Sequence, residues 1–379
     1  MSRSPSHQHS VMTPVSSIPS TAAETALDSL LNDLLEGDFQ QRWQAMKGVM
    51  DLGEIVIAPL LTLVQDEDLD WEVRWFAARA LGQFPKPVVL QSLVDLLTRT
   101  QDPDLRAIAT TALAQFGNDG IAALTQLMQN SQHRLLAVQT LATMRHGEAL
   151  PPLLEAAQAN DPAVRQVAVT ALGHFRAEAA GSSVLKTLKD PAAGVRQAAA
   201  TALGRPFDGL DQDDAVDHLV PCLWDISLPV CQATARTLGR LGTANAIDAL
   251  TQVGQSRHTP EVLQIAVVQA LGWSPQTASL EALLSIKDQV PQSVQLEIVG
   301  ILGRMRTSEA LRSQAGQALE AWLSLSLQDS QAGPLKRSLA MALGHLQVNS
   351  ARPLLQHLSE DIDERIALYA DAALRQLPA

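Results

Sequence analysis

A repeat of about 31 residues runs through this chain and constrains its fold more than any other feature. Each copy has an apolar residue, often followed by Arg, and an Ala-rich stretch that ends in Ala-Leu-Gly. Val164-Arg165 and Ala171-Leu172-Gly173 form one such copy. A helical hairpin of this length cannot bury its apolar face alone, so it must stack on its neighbours. The sequence therefore predicts an all-α, right-handed solenoid of about eleven hairpins. The Leu that ends each copy, called the anchor Leu below, stands at positions 52, 81, 113, 141, 172, 203, 238, 271, 302, 343 and 374.

Helix geometry explains the residue types found at fixed positions around this anchor Leu. The apolar residue eight positions earlier lies two helical turns back on the same face. The Ala that usually precedes the anchor lets neighbouring helices approach closely. The following residue is Gly in eight of the eleven copies, which predicts a helix C-terminal turn with positive φ. Pairs such as Asp161-Pro162 predict the start of the next first helix, where Asp caps free N–H groups and Pro is tolerated.

The chain divides into two regions by composition. Residues 1–21 are rich in Ser, Pro, His and Thr, and predict a disordered tail. Leucines from Leu27 to Leu35 follow a helical period and predict an N-terminal capping helix. Residues 22–379 are then expected to form a single solenoid. A longer link at Arg205–Asp217 and a longer second helix at about Ser308–Gln328 account for the two widest spacings between repeats.

Composition excludes several classes of function. The chain has 40 acidic and 28 basic residues, a net charge of −12, so it lacks the basic field that nucleic acids and anionic membranes require. No uninterrupted apolar run approaches the roughly 18 residues of a membrane span, so we expect no transmembrane segment. Two cysteines exclude a disulfide framework and favour a reducing compartment. We therefore expect a cytoplasmic protein that binds no nucleic acid.

No motif for nucleophilic catalysis or nucleotide binding is present, and one group of residues raises the question of a metal. His218, Cys222 and Cys231 are of the types that bind zinc or an iron–sulfur cluster. However, Cys222 occupies the apolar register of Leu93 and Leu153, where a buried thiol is ordinary. The interpretation as core thiols is favoured, and we expect no metal and no cofactor.

A second register carries Arg seven residues before the anchor in five consecutive copies. An Arg here can reach the Asp or the carbonyl groups of the adjacent inter-repeat loop, because its fork presents five donors. This predicts a structural ladder; a ligand-binding row is the alternative. After the five Arg residues, the later copies have Cys, Gln or Lys at this place. The full register, called the Arg register below, is Arg74, Arg106, Arg134, Arg165, Arg196, Cys231, Gln264, Gln295 and Lys336.

The second helices carry a register that is polar except for one Trp. In a solenoid of this kind the second helices line the concave face, so this register faces solvent there. Trp224 stands where its equivalents are polar, which predicts an anchor for a protein partner. The alternative is that Trp224 folds over the acidic Phe207–Asp217 link. The residues predicted to bind a partner are Trp224, Asp95, Glu155, Lys186 and Gln252; the full register is Thr62, Asp95, Gln126, Glu155, Lys186, Trp224, Gln252, Ser285 and Gln356.

A second candidate edge lies two residues after the anchor Leu. Cations near helix C-termini are favoured by the helix dipole, which accounts for the Arg residues but not for a Trp among them. On an acidic protein this edge could hold an acidic partner. Its residues are Arg205, Arg240, Trp273 and Arg304.

The repeat at Asp161 and that at Asp190 resemble the HEAT-like repeats of the phycobilisome-lyase type, found in cyanobacteria, whose hallmark is Asp-Pro-x-x-Val-Arg-x-x-Ala-x-x-Ala-Leu-Gly. The resemblance covers about residues 38–379. It implies a scaffold or adaptor that assists assembly or turnover of a pigment- or cofactor-bearing protein, such as a phycobiliprotein. Alternatives are a phycobilin lyase or lyase subunit, and a partner of an A-type iron–sulfur carrier. Deoxyhypusine hydroxylase, a relative with paired His-Glu dipeptides, is excluded because none of the nine His residues precedes Glu. Non-catalytic binding is therefore the leading expectation.

Overall fold

The computed structural model describes residues 20–329 and 331–378, without the side chains of Ser20 and Thr21. The regular secondary structure of these residues is helical, apart from an isolated β-bridge between Phe207 and Leu210. The predicted tail lies outside the described residues, except for its last two, which begin the first helix. The described residues form two compact units, which divide between Glu148 and Ala149.

The helices are short and closely spaced along both units. The first unit contains α1 Ser20–Glu36, α2 Phe39–Leu52, α3 Ile57–Gln65, α4 Trp71–Leu81, α5 Pro87–Arg99, α6 Pro103–Gln115, α7 Asn118–Leu127 and α8 Arg134–Thr143. The second unit contains α9 Leu150–Ala156, α10 Pro162–Leu172, α11 Glu178–Thr187, α12 Ala193–Ala202, α13 Gln212–Leu219, α14 Leu228–Leu241, α15 Ala244–Gln255, α16 Glu261–Gly272, α17 Thr277–Ile286, α18 Gln292–Leu302, α19 Glu309–Ser326, α20 Gly333–Leu346, α21 Arg352–Ser359 and α22 Glu364–Gln376. Short 3₁₀ segments are η1 Gly53–Val56, η2 Gly147–Ala149, η3 Val220–Trp224, η4 Lys287–Gln289 and η5 Asn349–Ala351.

Each unit is built from two layers of helices packed in series. In the first unit, α2, α4 and α6 pack side by side as first helices, and α3, α5 and α7 pack side by side as second helices. Helix α1 packs against α2 and α4. In the second unit the even-numbered helices from α10 to α22 form the first layer, and α13, α15, α17 and α19 pack in series in the second. This serial packing confirms the predicted all-α solenoid.

The helix starts follow the local sequence. Asp70, Asp102 and Asp161 each accept a hydrogen bond from a backbone N–H in the first turn of the helix that follows, as predicted for N-caps. Asp211 caps α13 through the N–H of Asp214. The link after Arg205 therefore ends at Asp211, six residues earlier than the sequence analysis placed it. The long second helix was predicted well, because Ser308 caps α19.

The glycines after the anchor Leu correct one expectation. Among the eight, Gly53 has a positive φ of 64°, whereas Gly82, Gly173 and Gly303 lie in the right-handed helical region. Their role is close approach: a Cβ added to Gly173 would lie 2.9 Å from the Cβ of Ala202, and one on Gly303 would lie 2.8 Å from the Cβ of Ala342. These glycines are needed for packing between first helices.

Among the described residues, one stretch, Phe39–Gln65, is long and apolar enough on average to be a candidate membrane span. In the structure this stretch is interrupted: α2 ends at Leu52, Gly53 adopts positive φ, and η1 leads into α3. Helix α2 packs against α1 and α4, and α3 packs against α4 and α5. The stretch therefore meets the length and composition of a membrane span but is not one continuous α-helix.

Candidate functional site

The predicted ladder is present as hydrogen bonds from the first helices to the preceding loops. Every member of the Arg register donates to a backbone carbonyl near the end of the preceding second helix, so the interpretation as a structural ladder is confirmed. The bonds are Arg74 to Val64, Arg106 to Thr100, Arg134 to Met128, Arg165 to Ala159, Arg196 to Asp190, Cys231 to Asp225, Gln264 to Gly254, Gln295 to Lys287 and Lys336 to Leu327.

Two rungs of this ladder carry bidentate ion pairs. The Nε and Nη2 atoms of Arg165 lie 2.7 and 2.8 Å from the two carboxylate oxygens of Asp190. Arg196 makes the same pair of contacts with Asp225, also at 2.7 and 2.8 Å. The Oδ1 atom of Asp225 accepts a further bond from the N–H of Ser227 at 2.8 Å. Asp225 is thus held by its side chain and its backbone.

These contacts favour the ionised carboxylates. The hydrogen bonds from Arg165 hold the pKa of Asp190 below its ordinary value, against the opposing effect of burial. The hydrogen bonds from Arg196 do the same for the pKa of Asp225. A carboxyl group whose pKa falls on folding stabilises the fold above its unfolded pKa, and this contribution is lost as pH falls through the folded pKa.

We therefore expect stability to fall in acid because these two carboxylates become protonated. Their contribution should be complete between pH 7 and 5, and should be lost below about pH 4, where ordinary carboxyl groups begin to titrate. Thermal melting followed by circular dichroism from pH 7 to pH 2 measures the effect. A double variant, Asp190→Asn with Asp225→Asn, should melt lower at pH 7 and lose less stability below pH 4. An equally steep acid decline in the variant would contradict this assignment.

The two cysteines occupy buried positions beside the same ion pair. Cys222 and Cys231 are buried, and burial raises the pKa of both thiols. The thiol of Cys231 donates to the carbonyl of Asp225 at 3.1 Å, whereas His218 is exposed. Within the described ranges, no group of three or more His, Cys, Asp or Glu side chains is placed to hold a metal ion. These positions agree with core thiols; the metal content of the protein stays a prediction.

Trp224 is exposed at the end of a second helix. Its side chain is 58% exposed, so it is not buried under the Phe207–Asp217 link. It is the last residue of η3, a 3₁₀ segment that replaces the final α-helical turn after α13. Trp224 therefore lies beside the inter-repeat loop, next to Asp225, and not in the middle of an α-helical face.

Ile226 was missed by the sequence analysis. Its side chain is 99% exposed and follows the restrained Asp225. The ion-pair geometry shows that Asp225-Ile226 takes the place of Asp190-Pro191 in the preceding repeat. This equivalence could have been found from sequence by aligning the loops on their Asp residues. Trp224 and Ile226 then form a pair of exposed apolar side chains on both sides of Asp225.

The other predicted residues lie on second helices of both units. Asp95, in the first unit, is half-buried and accepts a hydrogen bond from Gln91 at 3.0 Å. Glu155, Lys186 and Gln252, in the second unit, are exposed. Packing of α9 on α11 brings the Glu155 and Lys186 helices together, and packing of η3 on α15 does the same for Trp224 and Gln252.

The second candidate edge is exposed, and two of its arginines already have partners. Arg205 donates to the carbonyl of Gly173 at 3.4 Å and contacts the Nδ1 atom of His174. Arg240 contacts the carbonyl of Thr201 at 3.5 Å and the hydroxyl of Thr237 at 3.3 Å. These bonds favour a structural role for both.

Trp273 and Arg304 make up the other half of this edge. Trp273 is 49% exposed, and the two side chains line a shallow cleft of about 320 Å³ together with Gln269 and Glu297. This cleft lies between α16 and α18.

Comparison with protein families decides the class of repeat. A family profile described as HEAT repeats matches residues 27–114, 121–204, 156–235 and 181–272, together more than half of the chain. The chain belongs to the HEAT-repeat family. No curated protein matches it in sequence.

Solved structures of other HEAT-repeat solenoids share the fold. A structure of Kap95p binding to RanGDP matches with a TM-score of 0.63 and 14% identity, over 94% of this chain and 55% of that chain. The Kap95:Nup1 complex matches with a TM-score of 0.53 and 15% identity, over 94% and 58%. Yeast importin-β, Kap95p, matches with a TM-score of 0.51 and 13% identity, over 92% and 57%. The HEAT-repeat chain thus spans little more than half the length of these structures.

Proposed function

We propose that this HEAT-repeat protein is a non-catalytic scaffold that binds a partner protein on the second-helix side of its second unit. Trp224 is the proposed anchor, with Ile226 beside it and Glu155, Lys186 and Gln252 as polar contacts. The observation that carries the proposal is the exposure of a Trp that the helix core does not use. Asp95 lies in the same register of the first unit and is proposed as a separate contact there.

The setting of Trp224 suits it to binding. Aromatic anchors contribute most when they are rigid before the partner arrives, because less conformational entropy is lost on binding. The adjoining Asp225 is held by a bidentate pair with Arg196 and by the N–H of Ser227. The backbone that presents Trp224 and Ile226 is therefore preorganised, and both side chains remain accessible.

The structural relatives support binding of proteins in general. The titles of two matched structures name protein complexes, Kap95p with RanGDP and Kap95 with Nup1. At 14–15% identity this likeness concerns the fold, and the partners of those importins are not transferred to this chain.

The identity of the partner is a finer proposal that rests on the repeat motif at Asp161 and Asp190. Its resemblance to phycobilisome-lyase-type repeats favours a pigment- or cofactor-bearing partner, in a cytoplasmic setting suited to the free Cys222 and Cys231. Co-expression with an antenna subunit distinguishes the alternatives. Zinc-enhanced bilin fluorescence on that subunit would support a lyase. Stoichiometric capture of an iron–sulfur carrier without pigment would support a role as partner of an A-type iron–sulfur carrier.

The test of the scaffold function is a comparison of wild-type and Trp224→Ala protein as affinity baits in an extract of the native host. The wild type should retain a stoichiometric partner, and the variant should bind it about thirtyfold more weakly, the roughly 2 kcal/mol of a hot spot. Thermal stability should change little, because the ring is mostly exposed.

Trp273→Ala is the matched control, since it removes another exposed Trp from the same unit. It should keep wild-type affinity for the partner. If Trp224→Ala unfolds the protein, the ring is structural. If Trp273→Ala alone loses the partner, the edge of Arg205, Arg240, Trp273 and Arg304 is the binding site instead.

A further inference from the structure

The first unit carries a cluster of aromatic side chains on α2 and α4, the first helices of its first two repeats. Phe39 and Trp43 on α2 stack with ring centroids 6.2 Å apart. On α4, the guanidinium of Arg79 lies 4.9 Å from the ring centroid of Trp43 and 5.3 Å from that of Trp75. Trp71 lies one helical turn before Trp75, on the same face. We call Phe39, Trp43, Trp71, Trp75 and Arg79 the aromatic patch.

Phe39 and Trp71 make the patch accessible, whereas Trp43, Trp75 and Arg79 are half-buried; other repeats do without these side chains. Phe39 is 60% exposed and Trp71 is 45% exposed. At the position of Trp75, later copies have Ala107 and Gln166, and both of these are exposed. At the position of Arg79, three later copies have Thr, namely Thr111, Thr170 and Thr201. The hairpin fold therefore does not require aromatic rings or an Arg here, although Phe39 and Trp43 also contact the buried Phe76.

The polar groups of the patch are all hydrogen-bond donors. An indole offers one N–H and no acceptor, and a guanidinium offers only N–H groups. Within the described part of the chain, Trp43, Trp71 and Trp75 donate no side-chain hydrogen bond, and Arg79 has no carboxylate within ion-pair distance. A ligand for this surface should present apolar rings, carbonyl acceptors and a negative charge.

We propose that the aromatic patch binds an acidic, proline-rich segment of a partner protein in the polyproline II conformation. Such a segment has no internal hydrogen bonds, and its carbonyl groups are free to accept, while Pro itself has no N–H to leave unpaired. Aromatic-lined surfaces are a general means of docking proline-rich peptides. The charge of an acidic residue beside the prolines complements Arg79, whose fork is already oriented by two rings.

The dimensions agree with a short segment. From Trp71 to Arg79 helix α4 rises about 12 Å, and about four residues of a polyproline II helix cover the same length. The surface belongs to the first unit, whereas Trp224 belongs to the second. This site is therefore independent of the proposed function, and its failure would leave that proposal untouched.

The test uses the full-length protein and a fluorescein-labelled octapeptide of six prolines followed by two aspartates. Fluorescence anisotropy should show saturable binding at least tenfold tighter than that of two control peptides, six serines with two aspartates and six prolines with two lysines. Absence of saturation up to about 1 mM, or equal binding of the serine peptide, would overturn the proposal.

Variants locate the binding. Trp75→Gln, which copies residue 166, should weaken binding at least tenfold, and Arg79→Thr should abolish the preference for the aspartate peptide over the lysine peptide. Trp224→Ala should bind as the wild type does. Circular dichroism checks folding; if Trp75→Gln unfolds, the exposed Trp71→Gln decides the question instead. Unchanged binding in folded variants would disprove the assignment.

Two other occupants would also overturn it. One is the chain's own residues 1–19, which contain three prolines. If a synthetic peptide of these residues displaces the labelled octapeptide at a lower concentration than the unlabelled octapeptide does, the patch binds this segment of the chain. A dimer seen by light scattering that Trp75→Gln converts to a monomer would assign the patch to a second copy.

Discussion

Replacing Arg196 by Met should lower the free energy of unfolding by about 3 kcal/mol. The side chains of Arg196 and Asp225 are 11% and 10% exposed, so the variant leaves a carboxylate that is mostly buried and has lost its partner. Breaking one side of a buried pair costs about 3–5 kcal/mol, and the lower end suits a pair at the edge of solvent. The variant also removes bonds to the carbonyl groups of Asp190 and Pro191.

Arg312→Met is the matched control for this prediction. Arg312 pairs with Glu309 on the surface of α19, where the Glu side chain is 78% exposed. Surface pairs at this spacing contribute only a few tenths of a kcal/mol. Urea unfolding followed by circular dichroism compares the two variants. A loss below about 1 kcal/mol for Arg196→Met would show that Asp225 finds water or another donor, and that this rung is not important for stability.

The same variant links the ladder to the proposed binding site. Arg196 restrains Asp225, and Asp225 connects Trp224 to Ile226 in sequence. Loss of the pair should loosen the loop and weaken partner binding even though neither apolar side chain is changed. A variant that destabilises the fold but keeps full affinity would show that preorganisation by Asp225 contributes little to the site.

The repeat motif made most of the fold predictable. The apolar residue eight positions before the anchor packs in the core because it shares a helical face with the anchor: Val164 and Leu172 are both buried. The Arg register was equally predictable, because a long donor at a fixed place in each hairpin meets the same free carbonyl groups of the preceding loop.

The end of each helix was harder to predict, and the candidate site depends on it. Helix α13 starts at Gln212 because Asp211 can cap it, although the acidic composition there suggested a loop. The turn after α13 is 3₁₀, which places Trp224 beside the loop and leaves Ile226 outside the core. Such shifts of a few residues change which side chain is exposed while the repeat spacing stays similar.

The aromatic patch was not found from sequence for a different reason. An average of 3% aromatic residues conceals their concentration between Phe39 and Phe84. The sequence analysis assigned no role to Trp71 and Trp75, because the repeat motif does not show that α4 packs beside the aromatic side chains of α2. Comparison of Trp75 with its equivalents Ala107 and Gln166 was the signal that could have revealed the patch.

Some glycines inside the first helices are needed because a neighbouring helix packs directly against them, and others are not. A pair of variants tests this distinction. Gly239 lies within α14, where a Cβ would lie 2.5 Å from the carbonyl oxygen and 2.7 Å from the Cβ of Ala270. Gly300 lies within α18, where the nearest atom to a Cβ would be a terminal nitrogen of Arg304 at 3.7 Å. Both are inside helices, so the gain in helix propensity on mutation to Ala should be about 1 kcal/mol for each.

Gly239→Ala should therefore destabilise the protein by about 2 kcal/mol, whereas Gly300→Ala should stabilise it by up to about 1 kcal/mol. At Gly239 the cost of forcing α14 away from α16 exceeds the gain in helix propensity, since overpacking of a rigid interface costs about 1–3 kcal/mol or more. At Gly300 no such contact opposes the gain. Urea unfolding of the two single variants measures the difference, and hydrogen exchange should show faster opening of α14 and α16 in Gly239→Ala alone. Equal stabilisation by both substitutions would mean that the first helices can separate at little cost, and that the glycines after the anchor Leu are not packing residues.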